Sequence, residues 1–504
     1  MGDSSEKPAV LHLERAHGVD ESNVSELQAQ IDEIAALSEE DFKAEERKLL
    51  RKIDFTLLPC LFILLILNYL DRNALASARV QGIEEDLGME GTQFNTAISL
   101  LFVGYIVGQI PSNMILARSR PSVYLSICVF IWGVVCMSTG FVKNYHQLLA
   151  VRIVLGFTES PYFPGALFLL SSWYTKKELA FRTAFMYTGS LLSGAFSGFI
   201  SAGVEAGMDG KLGRPSWSWL FILEGAITAF AAICAYFVLP DYPATTKRLS
   251  IRERAMAVYR LERDGGSKDD EGDVGPLKSL KMALSDYRLY LLAIIIITKT
   301  TAGAVTQFFP TVVQTFGYSK VITLCLTAPP YLFTTVLSVV ISRLSDRKPE
   351  RCFHLAIPLG FGLVGYAIAA ATLNTAARYV SLFLMLGGLF GSYNVALAWI
   401  SSSFPRPRAK RAMAYAVINS LGNIAQIWSP YLYPKSDGPK YSMAFITNSI
   451  MAAVSILFCF VLRWCLARAN ARMDRDEQIA SGEASEDVEK KSVAPFAKQP
   501  RYVL

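Results

Sequence analysis

The chain has 504 residues, of which 52% are hydrophobic and only 18% charged, and its 49 Lys and Arg outnumber its 43 Asp and Glu for a net charge of +6. This composition excludes an ordinary soluble globular core and predicts a membrane-embedded chain. The positive balance is not a nucleic-acid footprint, because the bases are spread over short loops between apolar runs, where topology and anionic lipid account for them.

In chain order, residues 1–52 are polar and end in the basic run Lys48, Arg51, Lys52. No cleavable-signal pattern precedes the first apolar run, which is expected to act as its own uncleaved signal. Runs long enough to cross a hydrocarbon core about 30 Å thick then recur near 53–70, 94–116, 122–142, 147–170, 183–204 and 218–239. Residues 241–287 form a charged linker with Pro243, Gly265 and Gly266 and an acidic patch at Asp269, Asp270 and Glu271. Within it, 246–263 and 276–287 have mixed apolar and basic faces and are expected to lie as surface helices. Further runs follow near 288–312, 321–342, 353–373, 378–400, 411–433 and 443–465, and 466–504 is a polar tail. The prediction is an all-α membrane protein of twelve transmembrane helices in two pseudo-symmetric six-helix bundles, 53–240 and 288–465. A weak internal echo supports the duplication: Ser171-Ser172-Trp173-Tyr174 leading to Arg182 resembles Ser402-Ser403-Phe404 leading to Arg411.

Short loops after the second, fourth, eighth and tenth runs carry Arg118 and Arg120, Lys176 and Lys177, Arg347, Lys348 and Arg351, and Arg406, Arg408 and Lys410. The first loop on the opposite side carries Glu84, Glu85, Asp86 and Glu90 against Arg79. The positive-inside bias therefore places the basic loops and both termini in the cytoplasm. Eight cysteines lie in apolar runs or, for Cys352, beside an inner loop, so no disulfide framework is expected. Asn23-Val24-Ser25 matches a glycosylation acceptor but falls on the cytoplasmic side and is discounted. There is no phosphate-binding Gly-Lys-Ser/Thr loop, and four histidines (His12, His17, His146, His354) offer no His-Glu-x-x-His site. These absences point away from an ATP-driven pump or membrane protease, and no cofactor or metal is expected.

The informative residues are charges at membrane depth: Asp71 and Arg72 at the end of the first run, and Arg152 and Glu159 within the fourth. An ionisable group there costs at least about 2.5 kcal/mol and normally faces a pathway, a partner or water. Arg152 and Glu159 are seven residues apart, so they share a helix face with Gly156 between them. Asn68 lies one turn before Arg72, so the two can reach one ligand together with Tyr69. A guanidinium fork matches a carboxylate, which makes Arg72 the candidate anion site. No histidine lies at a helix centre, so proton transfer would fall to Asp71 and Glu159. Two bland readings stay open: Arg152–Glu159 as a structural ion pair, and Asp71–Arg72 as a helix end reaching the outer water. Glu224 reads as structural, and Lys299 as either a second cation for the anion or a side chain reaching the interface.

Polar candidates in the second half are Gln307, just before a helix break at Phe309-Pro310, Asn394 beside Tyr393, and Asn423 one turn after Asn419. Hydrogen bonds between helices are the alternative role for each. Tyr69, Tyr105, Phe163 and Tyr331 would stack on a planar ligand or pack at interfaces. Gly189, Gly194, Gly198 and Gly203 read as packing positions in the fifth run.

Four stretches taken in order carry a family resemblance: Asn68-Tyr69-Leu70-Asp71-Arg72-Asn73; Gly104-Tyr105-x-x-Gly108-Gln109-Ile110-Pro111; Arg152-x-x-x-Gly156-x-x-Glu159-x-x-x-x-Pro164-Gly165; and Trp219 five residues before Glu224-Gly225. Over about 53–465 the chain resembles a major facilitator superfamily transporter of the anion:cation symporter family, in its fungal allantoate permease branch. The resemblance implies the major facilitator fold, a first-helix arginine (Arg72) for organic anions and proton-carrying carboxylates at Asp71 and Glu159. It also implies carboxylate substrates such as allantoate, nicotinate or pantothenate, and a plasma-membrane location. The loop signature after the second helix is reduced to Ala117-Arg118-Ser119-Arg120-Pro121, whereas Ser345-Asp346-Arg347 keeps more of it. Ion-pair gating is therefore expected at Arg152, Asp346 and Arg347. The expected function is proton-coupled symport of a small organic anion by two halves rocking about a central site, with substrate, protons and the lipid bilayer as the only partners. The rivals are a proton-antiport exporter and a non-transporting nutrient sensor, the latter ranked last because the tails are short.

Overall fold

The computed structural model describes residues 21–116, 119–246, 248–265, 276–348, 350–404, 407–487 and 501–503. Arg118, Arg406, Gly266, Asp269, Asp270, Glu271, His12 and His17 lie outside the described residues. Every described regular element is a helix. The chain divides into two compact units, Met1–Asp270 with Gly317–Ala328, and Glu271–Phe316 with Pro329–Leu504.

The first unit holds α1 (Glu21–Ala35), α2 (Glu39–Gln81), α3 (Ile83–Asp86), α4 (Gln93–Leu116), α5 (Pro121–Thr139), α6 (Tyr145–Glu159), α7 (Tyr162–Trp173), α8 (Lys176–Met208), α9 (Ser216–Val238) and α10 (Ile251–Gly265). α2 packs along α8 and α9, α4 along α6, and α5 along α9. The first apolar run ends near 70, yet α2 continues to Gln81 because nothing after Arg72 breaks a helix until Gly82. There φ is 112°, and the Gly82 N–H caps the Ala78 and Arg79 carbonyls. Ser38 closes the other end by accepting from the Asp41 N–H. α6 and α7 form one span, Tyr145–Trp173, interrupted just after Glu159. Pro161 has no N–H to give the Phe157 carbonyl, and the Ser160 hydroxyl donates to it instead at 2.8 Å.

The polar residues before the first apolar run are helical from Glu21 onward. α10, expected as a surface helix, buries Ala255, Met256, Ala257 and Val258, while α1 and α2 bury Leu27, Ile31, Ile34, Phe42 and Leu49. Ion pairs flank this packing: Arg252 with Glu33 at 3.0 Å and Glu45 at 2.7 Å, Lys52 with Glu253 at 2.8 Å, and Arg263 with Glu39. The apolar face read as membrane-seeking is therefore satisfied within the protein.

The second unit holds α11 (Pro276–Leu284), α12 (Tyr287–Gly303), α13 (Phe309–Gln314), most of α14 (Lys320–Arg347), α15 (Cys352–Ala371), α16 (Thr375–Phe390), α17 (Tyr393–Ser403), α18 (Arg408–Trp428) and α19 (Ser442–Asp487). α12 packs on α18 and α19, and α15 on α16 and α19. The break expected at Phe309-Pro310 is a 3-10 turn, Ala304–Phe308, between α12 and α13. Residues 501–503 fold back onto this unit. The Tyr502 N–H donates to Asn470 Oδ1 and the Asn470 amide to the Tyr502 carbonyl, each at 2.9 Å, and Trp399 Nε1 donates to the Val503 carbonyl at 3.1 Å.

Eleven helical spans among the described residues are long and apolar enough to cross a bilayer. The remaining expected span, 411–433, coincides with α18, a helix of sufficient length whose Asn419, Asn423 and Gln426 make it more polar than the others.

Candidate functional site

α2 presents Asn68, Asp71 and Arg72 at the one-turn spacing that puts side chains on one flank of a helix. Asn68 and Asp71 are buried. Adjacent residues diverge by about 100° around a helix, so Asp71 and Arg72 serve different neighbours. Asp71 turns to α5, where its Oδ2 accepts from Trp132 Nε1 at 2.5 Å and its Oδ1 from Cys136 Sγ at 3.2 Å. Arg72 turns to α6, where its Nε donates to Glu159 Oε2 at 2.8 Å. The Arg72 guanidinium is framed by the rings of Tyr105 at 4.6 Å, Tyr69 at 5.4 Å and Phe102 at 5.8 Å. Asn68 approaches Glu159, yet its Nδ2 and Glu159 Oε1 make no hydrogen bond of normal geometry. The reading of Asp71–Arg72 as a helix end in outer water is not met, since Asp71 has no exposed surface and α2 runs on to Gln81.

Two glycines bring these helices close enough. A Cβ on Gly156 would lie 1.9 Å from the Leu101 carbonyl oxygen of α4, and one on Gly225 would lie 2.4 Å from the Met137 nitrogen of α5. Only hydrogen fits at either place, and the residues beside them, Arg152 and Glu159 on α6 and Glu224 on α9, are carried into the same interior.

The alternative reading of Arg152–Glu159 as a structural ion pair is not met, because Glu159 pairs with Arg72 instead. Seven residues of helix rise span about 10.5 Å, too far for direct pairing along α6, whereas Arg72 arrives laterally from α2. Arg152 is buried over the Phe221 ring at 5.3 Å, and its Nε and Nη2 have no hydrogen-bond partner among the described residues. Glu224, set aside in the sequence as structural, is 2% exposed, and neither carboxylate oxygen has a hydrogen-bond partner among the described residues. The available signal was a carboxylate deep in an apolar helix, the criterion that singled out the other four.

In the second unit Gln307 lies in the 3-10 turn, Asn394 at the start of α17 and Asn423 on α18. All three are half-buried and make no hydrogen bond among the described residues. Lys299 on α12 is buried, with its Nζ 4.5 Å from the Tyr393 ring, so it does not reach an interface. Asp346 is exposed and pairs with Arg351 at 3.0 Å, while Arg347 is exposed and makes no ion pair among the described residues.

Stronger ion pairs than these were not legible in the sequence. In the first unit Arg182 forks onto Asp54 through two bonds of 2.7 Å, with the Tyr174 hydroxyl donating to the same carboxylate at 2.8 Å. In the second, Asp286 accepts from Lys410 at 2.7 Å and from Arg288 at 2.5 Å. Burial opposes ionisation of Asp286, but the bonds from Arg288 and Lys410 outweigh it and hold the carboxyl below its ordinary range. Asp54 and Arg182, and Asp286 and Lys410, are more than a hundred residues apart and leave no trace in local spacing; Arg288, two residues from Asp286, is the local part of its network.

A helical chain with eleven described spans long and apolar enough to cross a bilayer and a buried cluster of opposite charges is a membrane protein in architecture, and the comparisons give it a family. The Major Facilitator Superfamily model matches residues 61–430, and the chain belongs to that superfamily. It is 31% identical over 442 residues to the MFS-type transporter cnsO of Penicillium expansum, covering 84% of each chain. It is 30% identical to the major facilitator-type transporter hxnP of Emericella nidulans, covering 91% of this chain and 93% of that one. Among solved structures it is similar in fold to the xylose transporter XylE of E. coli in a partially occluded inward open conformation, with a TM-score of 0.63, 13% identity and coverage of 80% and 97%. The protein is a multi-pass membrane transporter and not an enzyme.

Proposed function

We propose that this transporter moves a small organic carboxylate together with protons. The observation that carries the reading is the state of Arg72. Its Nε holds Glu159, while its Nη1 and Nη2 make no hydrogen bond among the described residues, and the side chain is 11% exposed within an aromatic frame. A guanidinium with a free edge is a ready fork for a carboxylate, and flanking rings suit a planar acid. Glu159 and the substrate compete for this cation. Protonating Glu159 weakens its hold on Arg72, so arrival of a proton favours arrival of the anion, and the reverse follows by linkage.

Asp71, satisfied by Trp132 and Cys136, is the second proton-carrying carboxylate, and Asn68 and Tyr69 complete the ligand contacts on α2. Gln307, Asn394 and Asn423 supply polar contacts to the substrate. Asp346 and Arg347 act at the inner ends of the helices, and Arg152 serves as a counter-charge. The motif resemblance favours the anion:cation symporter family and its allantoate permease branch, with nicotinate, pantothenate and allantoate as the first acids to test. The base-rich loops favour cytoplasmic termini, and the motif resemblance favours the plasma membrane.

The test is uptake by purified protein in liposomes under an inward proton gradient, with labelled nicotinate, pantothenate, allantoate and a neutral amide of each. Gradient-driven uptake of one acid, absent for its amide and reduced at least about tenfold in Arg72→Ala, is expected. Equal uptake of acid and amide, or full activity in Arg72→Ala, would overturn it.

A further inference from the structure

Five ionisable side chains meet inside the first unit: Asp71 and Arg72 from α2, Arg152 and Glu159 from α6, and Glu224 from α9. They interact electrostatically as one group. Three are acids and two are bases, so the fully ionised cluster carries one uncompensated negative charge, which a low-dielectric interior strongly disfavours. One proton therefore belongs to the cluster before any substrate proton is counted.

The hydrogen bonds indicate where it sits. Asp71 receives two donors, from Trp132 and Cys136, and Glu159 receives Arg72. Glu224 receives none at either oxygen among the described residues. An unpartnered neutral carboxyl costs far less to bury than an unpartnered carboxylate. We propose that Glu224 is a third proton-carrying carboxylate of this transporter, holding the resting proton of the cluster, with Arg152 as the counter-ion that receives its charge when the proton leaves. Arg152 fits that part because its Nε and Nη2 are buried and free of any other partner.

The charged and titratable groups facing Glu224 are Asp71 from α2, Cys136 from α5 and Arg152 from α6. α8, which also packs on α9, contributes Glu205, whose carboxylate is engaged by the Ser216 hydroxyl at the first residue of α9. Glu224 thus has one cation to turn to and one acid, Asp71, to exchange with. The inference rests on the proton coupling proposed above, and it assigns the place where a proton waits between cycles.

Infrared difference spectroscopy of the purified protein in lipid, titrated across neutral to alkaline pH, tests it without any substrate. A protonated-carboxyl stretching band that is lost reversibly on alkalinisation is expected in the wild type, and its frequency should be unchanged in Asp71→Glu and Glu159→Asp, which keep the count of three acids against two bases. It should be missing in Glu224→Gln and shifted in Glu224→Asp, which keeps the acid if the glutamine variant misfolds. A band that persists in Glu224→Gln, or no band in the wild type, overturns the proposal. In liposomes, the ratio of protons to substrate taken up should fall in Glu224→Gln while substrate exchange is retained, and an unchanged ratio also overturns it. Wild-type uptake without any proton movement would refute the coupling proposed above, while the infrared band still decides whether Glu224 holds the proton.

Discussion

At the scale of single residues, the proposed coupling turns on the two buried guanidinium groups. Arg72 is claimed by Glu159 and framed by three rings, and Arg152 is buried with donors to spare. Glu159→Gln removes the competitor for Arg72, so substrate exchange should persist and accumulation driven by a pH gradient should disappear, as measured by counterflow and gradient-driven uptake in the same liposomes. Trp132→Phe deletes a donor to buried Asp71. Loss of a hydrogen bond to a buried carboxylate costs about 1–3 kcal/mol, and a lowered Tm of the purified protein is the expected reading.

At the scale of elements, helix proximity and helix ends decide what can be changed. Gly156→Ala forces a methyl into the Leu101 carbonyl, and separating α4 from α6 should destabilise by about 1–3 kcal/mol. Gly203→Ala on α8 meets nothing within 4 Å and should be silent in the same thermal assay. Gly203 was grouped in the sequence with close-packing glycines, which a one-dimensional pattern cannot separate from idle ones.

The N-terminal end of α12 makes a pH prediction. Asp286 is held below its ordinary value of 3.8 by Arg288 and Lys410, so its stabilisation is fully present above that value and is lost as pH falls through the lower folded-state value. The Tm gap between wild type and Asp286→Asn should be constant near neutral pH and close only in strong acid.

At the scale of the whole molecule, the number of crossings fixes which side each loop occupies. Eleven spans satisfy length and apolarity by themselves, and α18 is long enough but polar along one flank. Polar residues on a helix buried among others are tolerated because they need not face lipid, and α18 packs on α12. A protease site inserted after Ser436 should therefore be cut from the side opposite to one inserted after Lys348. Cutting from the same side would mean that α18 does not cross.

The sequence by itself determined the apolar spans, because a bilayer core demands a set length of apolar helix, and it marked Asp71, Arg72, Arg152 and Glu159, because charge at that depth is costly whatever surrounds it. The tertiary structure alone decided which arginine meets which carboxylate. Arg72 reaches from α2 to Glu159 on α6, Arg152 Nε and Nη2 make no hydrogen bond among the described residues, and Gly225 lets α9, which carries Glu224, pack closely on α5. Such pairings depend on lateral helix contacts between residues far apart in the chain, and local spacing carries no record of them.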